Sequence, residues 1–166
     1  MKKNSYLEIK NYFENVVMQS SFLNDFVGFF EREWASKKSS VKGLKSPILA
    51  LFRYNLGFEG QNENAIAVRK IGFAIMFNKI KPGDLEAQYQ AIADAEEMAI
   101  KILARMRYEA ADTSHFLYNA FLKNSVEIKP VELSAGDFGV DVLFSLKNNQ
   151  PLKVDFSDWK DLEPCD

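Results

Sequence analysis

A long stretch with helical periodicity, between residues 85 and 110, constrains the fold more than any other feature of the sequence. Apolar residues recur there every three or four positions, which is the pattern of a helix with one apolar stripe: Leu85, Tyr89, Ile92, Ala95, Ala99, Leu103 and Met106. Asp84 precedes the stretch as a candidate N-cap, after the breaker KPGD. A helix of this span would be ~38 Å long at about 1.5 Å per residue.

The remaining sides of this predicted helix are charged. Acidic residues come early and basic residues come late, an order that complements the helix dipole. We therefore expect the apolar stripe to pack on a sheet, with Ile92, Ala99, Leu103 and Met106 buried. The residues expected to be exposed are Glu86, Asp94, Glu97 and Lys101.

Two segments before this helix alternate as β-strands do. In PILALFRYNLGFEG one face is predicted to hold Ile48, Ala50, Phe52, Tyr54, Leu56 and Phe58, with Arg53 and Asn55 on the other. In AIAVRKIGFAIMFNKI one face is predicted to hold Ile71, Phe73, Ile75 and Phe77, with Gly72 and Ala74 opposite. The two strands should form a hairpin with a polar tip at residues 61–64.

The other segments of the chain have shorter or less regular patterns. Ser5 and Glu8 make a capping box that predicts a helix over residues 5–20. Residues 22–30 fit either a short helix or an irregular arm, and residues 113–123 fit a short turn or helix. NSVEIKPVELS reads as a strand in which Pro130 requires an edge position or a bulge. The last strand is predicted from an alternation: Phe138, Val140, Val142, Phe144 and Leu146.

The order of predicted elements is helix, strand, strand, helix, strand, strand. This order indicates an α+β fold in which helices pack on an antiparallel sheet of about four strands. We expect a single domain over residues 1–166, with a flexible basic connector near 35–46 and a C-terminal extension at 148–166.

The predicted connector, ASKKSSVKGLKS, contains four lysines among small residues: Lys37, Lys38, Lys42 and Lys45. Such a composition is typical of a solvated loop. The alternative interpretation is that these lysines contact phosphate or an acidic neighbouring subunit.

Composition argues against several classes of function. The net charge of −2 and the pI near 5.6 do not fit a protein that coats nucleic acid, so no nucleic-acid partner is expected. Neither a secretory signal nor a membrane-spanning run of 18 apolar residues is recognisable. The one cysteine, Cys165, stands next to the last residue and fits a reducing cytoplasm.

No catalytic pattern is recognisable in the sequence. His115 has no partner at metal-ligand spacing, and the carboxylates Asp137, Asp141, Asp155, Asp158 and Asp161 do not follow a calcium-loop rhythm. The nearest approach to a nuclease site is Asp137 and Asp141 with Lys147. We therefore expect no catalytic residues, no metal, no cofactor and no small-molecule substrate.

Taken together, the segments resemble a family of phage structural proteins. The similarity lies in the N-terminal amphipathic helix, the hairpin, the long helix ending in ILARMRYEA, the strand VEIKPVEL and the final GDFGVDVLFSLKNNQPLKVDFSDW. These resemble the tail terminator or tail-completion group, with related minor tail proteins, of Bacteroidetes-type phages and prophages. The resemblance implies a ring that closes the tail tube, with tube or head-connector proteins as partners. It also implies a location in the bacterial cytoplasm and then in the virion.

Ring assembly is head-to-tail, so it needs two different surfaces on each copy. We expect one surface near Phe58, Glu59 and Ala65, and the other at the lysines of residues 37–45. Trp159, with Val154 and Phe156, should anchor the C-terminal extension either on its own core or on a neighbouring subunit. Two other classes of function stay open: a monomeric accessory or binding protein, and a metal-dependent enzyme acting on nucleic acid.

Overall fold

The computed structural model describes residues 5–61, 64–134 and 136–161. Within them the chain forms three α-helices and five strands: α1 (Tyr6–Gln19), β1 (Asp25–Val27), α2 (Glu31–Ser39), β2 (Ile48–Glu59), β3 (Ile66–Phe77), α3 (Leu85–Glu109), β4 (Phe121–Ser134) and β5 (Asp137–Asn149). A single 3₁₀ turn follows at Phe156–Asp158. The α+β class predicted from the sequence is confirmed.

The five strands form one mixed sheet in the order β1-β2-β3-β5-β4. The prediction of an antiparallel sheet of about four strands is therefore wrong in one part, because β1 pairs with β2 in parallel, from Asp25 beside Ile48 to Val27 beside Ala50. A strand of three residues is too short to show a period in the sequence, and two parallel strands need a crossover. Residues 28–47, with α2 among them, form this crossover.

β2 does not keep one apolar face along its length, contrary to the prediction. Its register with β3 shifts between Leu51 and Arg53, so Phe52 is an extra residue. A bulge of this kind reverses the alternation beyond it. Ile48 and Ala50 consequently face α2, whereas Tyr54 faces the same side as α1.

The bulged Phe52 lies across β3 because residue 72 is a glycine. A Cβ atom added to Gly72 would stand 2.7 Å from the Phe52 ring. The missing side chain therefore gives the ring its place on the face of the sheet that α2 also covers.

The main core lies between the sheet and the pair α1 and α3. α1 contacts β1 and β2, whereas α3 contacts β3, β5 and β4. Phe13 of α1 packs against Phe73 and Phe144, with ring centroids 5.1 and 6.1 Å apart. The predicted inward faces of β3 and β5 are confirmed here, since they supply the central buried residues of this core: Ile71, Phe73, Ile75, Val140, Val142, Phe144 and Leu146.

α3 meets the sheet through small side chains. Its fully buried residues are Ala91, Ala95, Ala99, Ile102 and Met106. Ala99 and Met106 confirm the prediction, whereas Ile92 and Leu103 are only half-buried, and Leu85 and Tyr89 are exposed. Glu86, Glu97 and Lys101 are exposed as predicted, and Asp94 is partly covered. The stripe is thus centred on the alanines, which allow the helix axis to approach the sheet closely.

β3 and β5 come so close that one position tolerates no side chain. A Cβ atom on Gly139 would overlap the carbonyl oxygen of Ile75, which belongs to the neighbouring strand. β4 is the outer strand beyond β5, so the predicted edge position of Pro130 is confirmed. None of the described helices, including the 25-residue α3, combines the length and the apolar character needed to cross a membrane.

Two isoleucines on α3 allow a matched test of this packing. Ile102 is 1% exposed and Ile100 is 52% exposed. We expect Ile102→Ala to lower the free energy of unfolding by about 2–5 kcal/mol, as deletion of buried methyl groups does. Ile100→Ala should change it by less than about 0.5 kcal/mol. Urea denaturation of both variants measures the difference, and equal losses would show that the buried stripe of α3 is assigned wrongly.

Candidate interaction surfaces

α2 covers part of the second face of the sheet and creates a smaller apolar cluster there. Its buried members are Val27, Leu44, Ile48, Ala50, Ala74 and Met76, with Trp34 and Val131 packed against them. α2 itself has no buried residue. The helix is therefore attached to the sheet through one side of Trp34, the loops at its two ends, and the polar contacts of Lys37 with Phe26 and of Lys38 with Asp137.

A groove opens beside α2 on this face. Its volume is about 380 Å³, and its residues come from β1, α2, β2 and β4: Val27, Gly28, Phe29, Phe30, Glu31, Trp34, Ala50, Leu51, Phe52 and Leu133. The floor is buried aliphatic surface, whereas Phe30, Phe52 and Leu133 are about half-exposed at the rim. We call this feature the α2 groove. This groove was not predicted from the sequence, although Phe30 and Trp34 stand at the helical spacing of i and i+4.

The prediction of a flexible connector at residues 35–46 is wrong over its first part, which belongs to α2. Glu31 and Glu33 in the first turn and Lys37 and Lys38 in the last turn complement the helix dipole. The small residues between the lysines suggested a loop because their low apolar content gave no helical period.

The four lysines predicted to form a surface have different environments. Lys37 donates hydrogen bonds to Glu33 and to the Phe26 carbonyl, both at 2.7 Å. Lys38 pairs with Asp137, whose side chain is buried. Lys42 and Lys45 are exposed in the loop after α2, and no salt bridge within the described residues includes them.

Glu33, in the first turn of α2, remains ionised. Burial acts to raise its pKa, but hydrogen bonds from Lys37 and the Gly28 amide, together with the charges of Lys37 and Lys10, lower it overall. Its carboxylate therefore ties the start of α2 to the end of β1.

The sheet face next to the α2 groove is polar. Arg53, Lys70 and Lys129 line a shallow depression there, together with Glu127 and the serines of β4 and β5. Lys129 pairs with Glu127 at 3.0 Å, and Arg53 donates a hydrogen bond to Asn55 at 3.0 Å. Because the charges are mixed in sign, this face lacks the one-sided basic character of a surface that binds nucleic acid.

One edge of β2 is open over much of its length. β1 pairs only with Ile48–Ala50, and no other described strand pairs with β2 on that side. The open stretch, Arg53–Glu59, includes the exposed Leu56 and Phe58. We call it the β2 edge. Exposed strand edges with apolar side chains are sites of pairing with other chains.

The residues predicted near the hairpin tip do not share one surface. Phe58 is exposed, and Glu59 is exposed and paired with Lys147 at 2.6 Å. Ala65 is buried, and its carbonyl accepts a hydrogen bond from the Gln150 amide, so its predicted contact with a partner is wrong. The end of the hairpin is also not a two-stranded ribbon, since β5 accompanies β3 to Ile66. Tip residues 62 and 63 lie outside the described residues.

The segment after β5 is exposed throughout. None of residues 151–161 is buried, and four large apolar side chains among them are 40–57% exposed: Leu152, Val154, Phe156 and Trp159. We call this segment the C-terminal arm. Burial of Trp159 on its own core, one of the two predicted alternatives, is therefore wrong, because its side chain is 57% exposed. The predicted extension also began too early, since Asn148 and Asn149 belong to β5.

A cluster of polar side chains joins α1 to the end of α3. The Tyr12 hydroxyl donates a hydrogen bond of 2.5 Å to Glu109, which also accepts one of 2.8 Å from Arg105. His115 lies 4.0 Å from the same carboxylate, and its Nδ1 accepts a hydrogen bond from the Leu117 amide. Burial, and then the contact with Glu109, raises the pKa of Tyr12. The phenol thus keeps its proton and acts as an anchor between the helices.

The remaining chemical candidates lie apart. Asp137 and Asp141 belong to β5, whereas Asp155, Asp158 and Asp161 belong to the C-terminal arm. Among the described residues, no three histidine, cysteine, aspartate or glutamate side chains are grouped as a metal site would need. Burial raises the pKa of Asp141. Cys165 lies outside the described residues.

Comparison of the sequence with models of protein families and with curated proteins found no relative. No model of a known protein family matches the chain, and no curated protein is similar enough in sequence to count as related.

The anchoring role of Tyr12 can be tested by removing its hydroxyl oxygen. Tyr12→Phe leaves the ring contacts intact but deprives the Glu109 carboxylate of a hydrogen bond in a partly buried site. We expect a loss of about 1.5–3 kcal/mol in the free energy of unfolding, the range for one hydrogen bond to a charged group, while Arg105 still donates to Glu109. Tyr108→Phe is the control, because Tyr108 is exposed on the same helix end. Thermal denaturation compares the two variants. Equal melting temperatures would contradict the anchoring role of Tyr12.

Proposed function

We propose that this protein is a structural protein that works by assembling with copies of itself. In the role we favour it is a tail terminator or tail-completion protein, which forms a ring at the end of a phage tail tube. Tail-tube or head-connector proteins would then contact the completed ring.

The observation that supports self-assembly best is the β2 edge. Arg53–Glu59 offers backbone groups for pairing, and Leu56 and Phe58 offer apolar surface on the side of the sheet that α1 and α3 occupy elsewhere. Strand edges that stay monomeric are usually protected by lysines, prolines or bulges within the exposed stretch. In β2 the bulge comes before the open stretch, at Phe52, and β2 carries neither lysine nor proline.

The opposite edge of the sheet is protected in this way. The outer strand β4 contains Lys123, Lys129 and Pro130, and its register with β5 is interrupted at two places. The contrast between the two edges favours β2 as the surface that meets another chain. Head-to-tail contacts, in which two different surfaces of each copy meet, would require a second surface besides the β2 edge.

The α2 groove supports a second candidate function, a monomeric accessory protein that binds another protein. Its volume of about 380 Å³ lies within the range of small binding sites, and its wall is mainly apolar. The two functions differ in the mass of the free protein, since only the first requires an assembly of identical chains.

We expect the mass of the protein, measured by light scattering after size exclusion, to rise with concentration toward a closed oligomer. Phe58→Lys places a charge on the β2 edge and should raise the midpoint concentration of assembly by about tenfold or more, the effect of losing one hot-spot side chain. Ile100→Lys adds the same charge on the exposed side of α3 and should leave the midpoint unchanged.

Identical masses for wild type and Phe58→Lys at every concentration would remove the β2 edge from the assembly. A wild-type protein that remains monomeric at all concentrations, and also in the presence of tail tubes, would contradict the proposed function and favour the accessory protein.

A further inference from the structure

The C-terminal arm has an arrangement of apolar residues that its own subunit does not use. Leu152, Val154 and Phe156 occupy alternate positions, so in an extended chain they lie on one side. Each is at least 40% exposed. Leaving three such side chains half-exposed to water is unfavourable, because removing apolar surface from water is favourable.

The α2 groove has the complementary surface. Its aromatic rim and aliphatic floor form an apolar channel whose lining includes Glu31, and the loop that follows α2 carries the exposed Lys42 and Lys45. Residues 31–45 contain five cations and two carboxylates, and Asp137 pairs with one of these cations, Lys38, which leaves a net charge of +2. The arm, residues 151–161, contains two lysines and three carboxylates, a net charge of −1. The arm and the surroundings of the groove therefore match in both apolar character and charge.

The arm is too short to place all three of these residues in the groove of its own subunit. It begins after Asn149, which pairs with Ile66, whereas Phe52 lies beyond the level of Gly72 on β3. Those six residues of strand separate the two points by about 20 Å at about 3.4 Å per residue. Even when fully extended, Leu152 reaches only about 10 Å from Asn149 and Val154 only about 17 Å, so neither reaches Phe52, whereas Phe156 reaches about 24 Å.

We infer that the C-terminal arm of one copy occupies the α2 groove of a second copy. Leu152, Val154 and Phe156 insert between Phe30, Trp34, Phe52 and Leu133, and the carboxylates of the arm face the basic loop after α2, where Lys42 and Lys45 are exposed. The contact joins two different surfaces and is therefore head-to-tail. It rests on the proposed self-assembly and identifies a second contact, separate from the β2 edge.

Two full-length variants test the inference. The arm variant replaces Leu152, Val154 and Phe156 with serine, which removes apolar surface without changing charge. The groove variant is Leu133→Lys, at a position that is 53% exposed in β4. We expect each variant alone to require a concentration about tenfold or more above that of wild type to assemble.

Mixing the two variants gives the decisive measurement. The arm variant keeps an intact groove, and the groove variant keeps an intact arm, so the mixture should form a one-to-one pair that neither protein forms alone. The control replaces Met18, Leu85 and Ile100 with serine, which removes the same number of exposed apolar side chains elsewhere; it should assemble as wild type does.

Three results would overturn the inference. The first is wild-type assembly by the arm variant, and the second is failure of the mixture to pair while each variant keeps its wild-type melting temperature. The third is a monomeric wild-type protein whose arm lies in the groove of its own subunit. In that case Leu133→Lys would alter the fluorescence of Trp159, measured in a Trp34→Phe background. If only Phe58→Lys disrupts assembly, the proposed function stands and the exchange of arms is excluded.

Discussion

The rest of the structure depends on the pairing of β3 with β5. Twelve residues of each strand are in register, from Ile66 beside Asn149 to Phe77 beside Phe138, and β3 is buried on both faces from Ile71 to Met76. The close approach at Gly139 brings the two backbones together at the end where both faces are covered. Because α1 and α3 pack on one side of this pair and α2 lies on the other, a shift of one residue in its register would move each apolar residue of the shifted strand to the wrong face.

The bulge at Phe52 divides the sheet into two regions with different properties. Before the bulge, both faces of β2 are buried: Leu49 and Leu51 lie in the core on one side, and Ile48 and Ala50 lie in the cluster on the other. Beyond it, one face is polar and the edge is open. A single extra residue therefore separates the part of β2 that belongs to the core from the part that is available to another chain.

Sequence periodicity was sufficient for the elements that are long and have one buried face. It located α1, α3, β2, β3 and β5 and the inward residues of β3 and β5, because each repeats its pattern over several turns or pleats. It failed where the determinant is not periodic: β1 has three residues, α2 buries none, and the bulge becomes visible only when Arg53 is paired with Gly72, which leaves Phe52 as the extra residue. The α2 groove could not be predicted, since its walls come from four elements whose contact is set by the parallel pair. The sequence marked Trp159 as a candidate anchor residue, but no periodic pattern showed that its side chain would be 57% exposed.

The weak attachment of α2 has a consequence for the order in which the molecule opens. α2 has no fully buried residue, and β1 contributes only three residues to the sheet, so releasing this corner exposes little apolar surface compared with separating β3 from β5. Local opening requires less free energy where fewer apolar contacts are broken. Backbone amides of α2 should therefore exchange their hydrogens with solvent sooner than those of β3. The groove would then be a surface that forms and dissolves while the sheet beneath it stays intact.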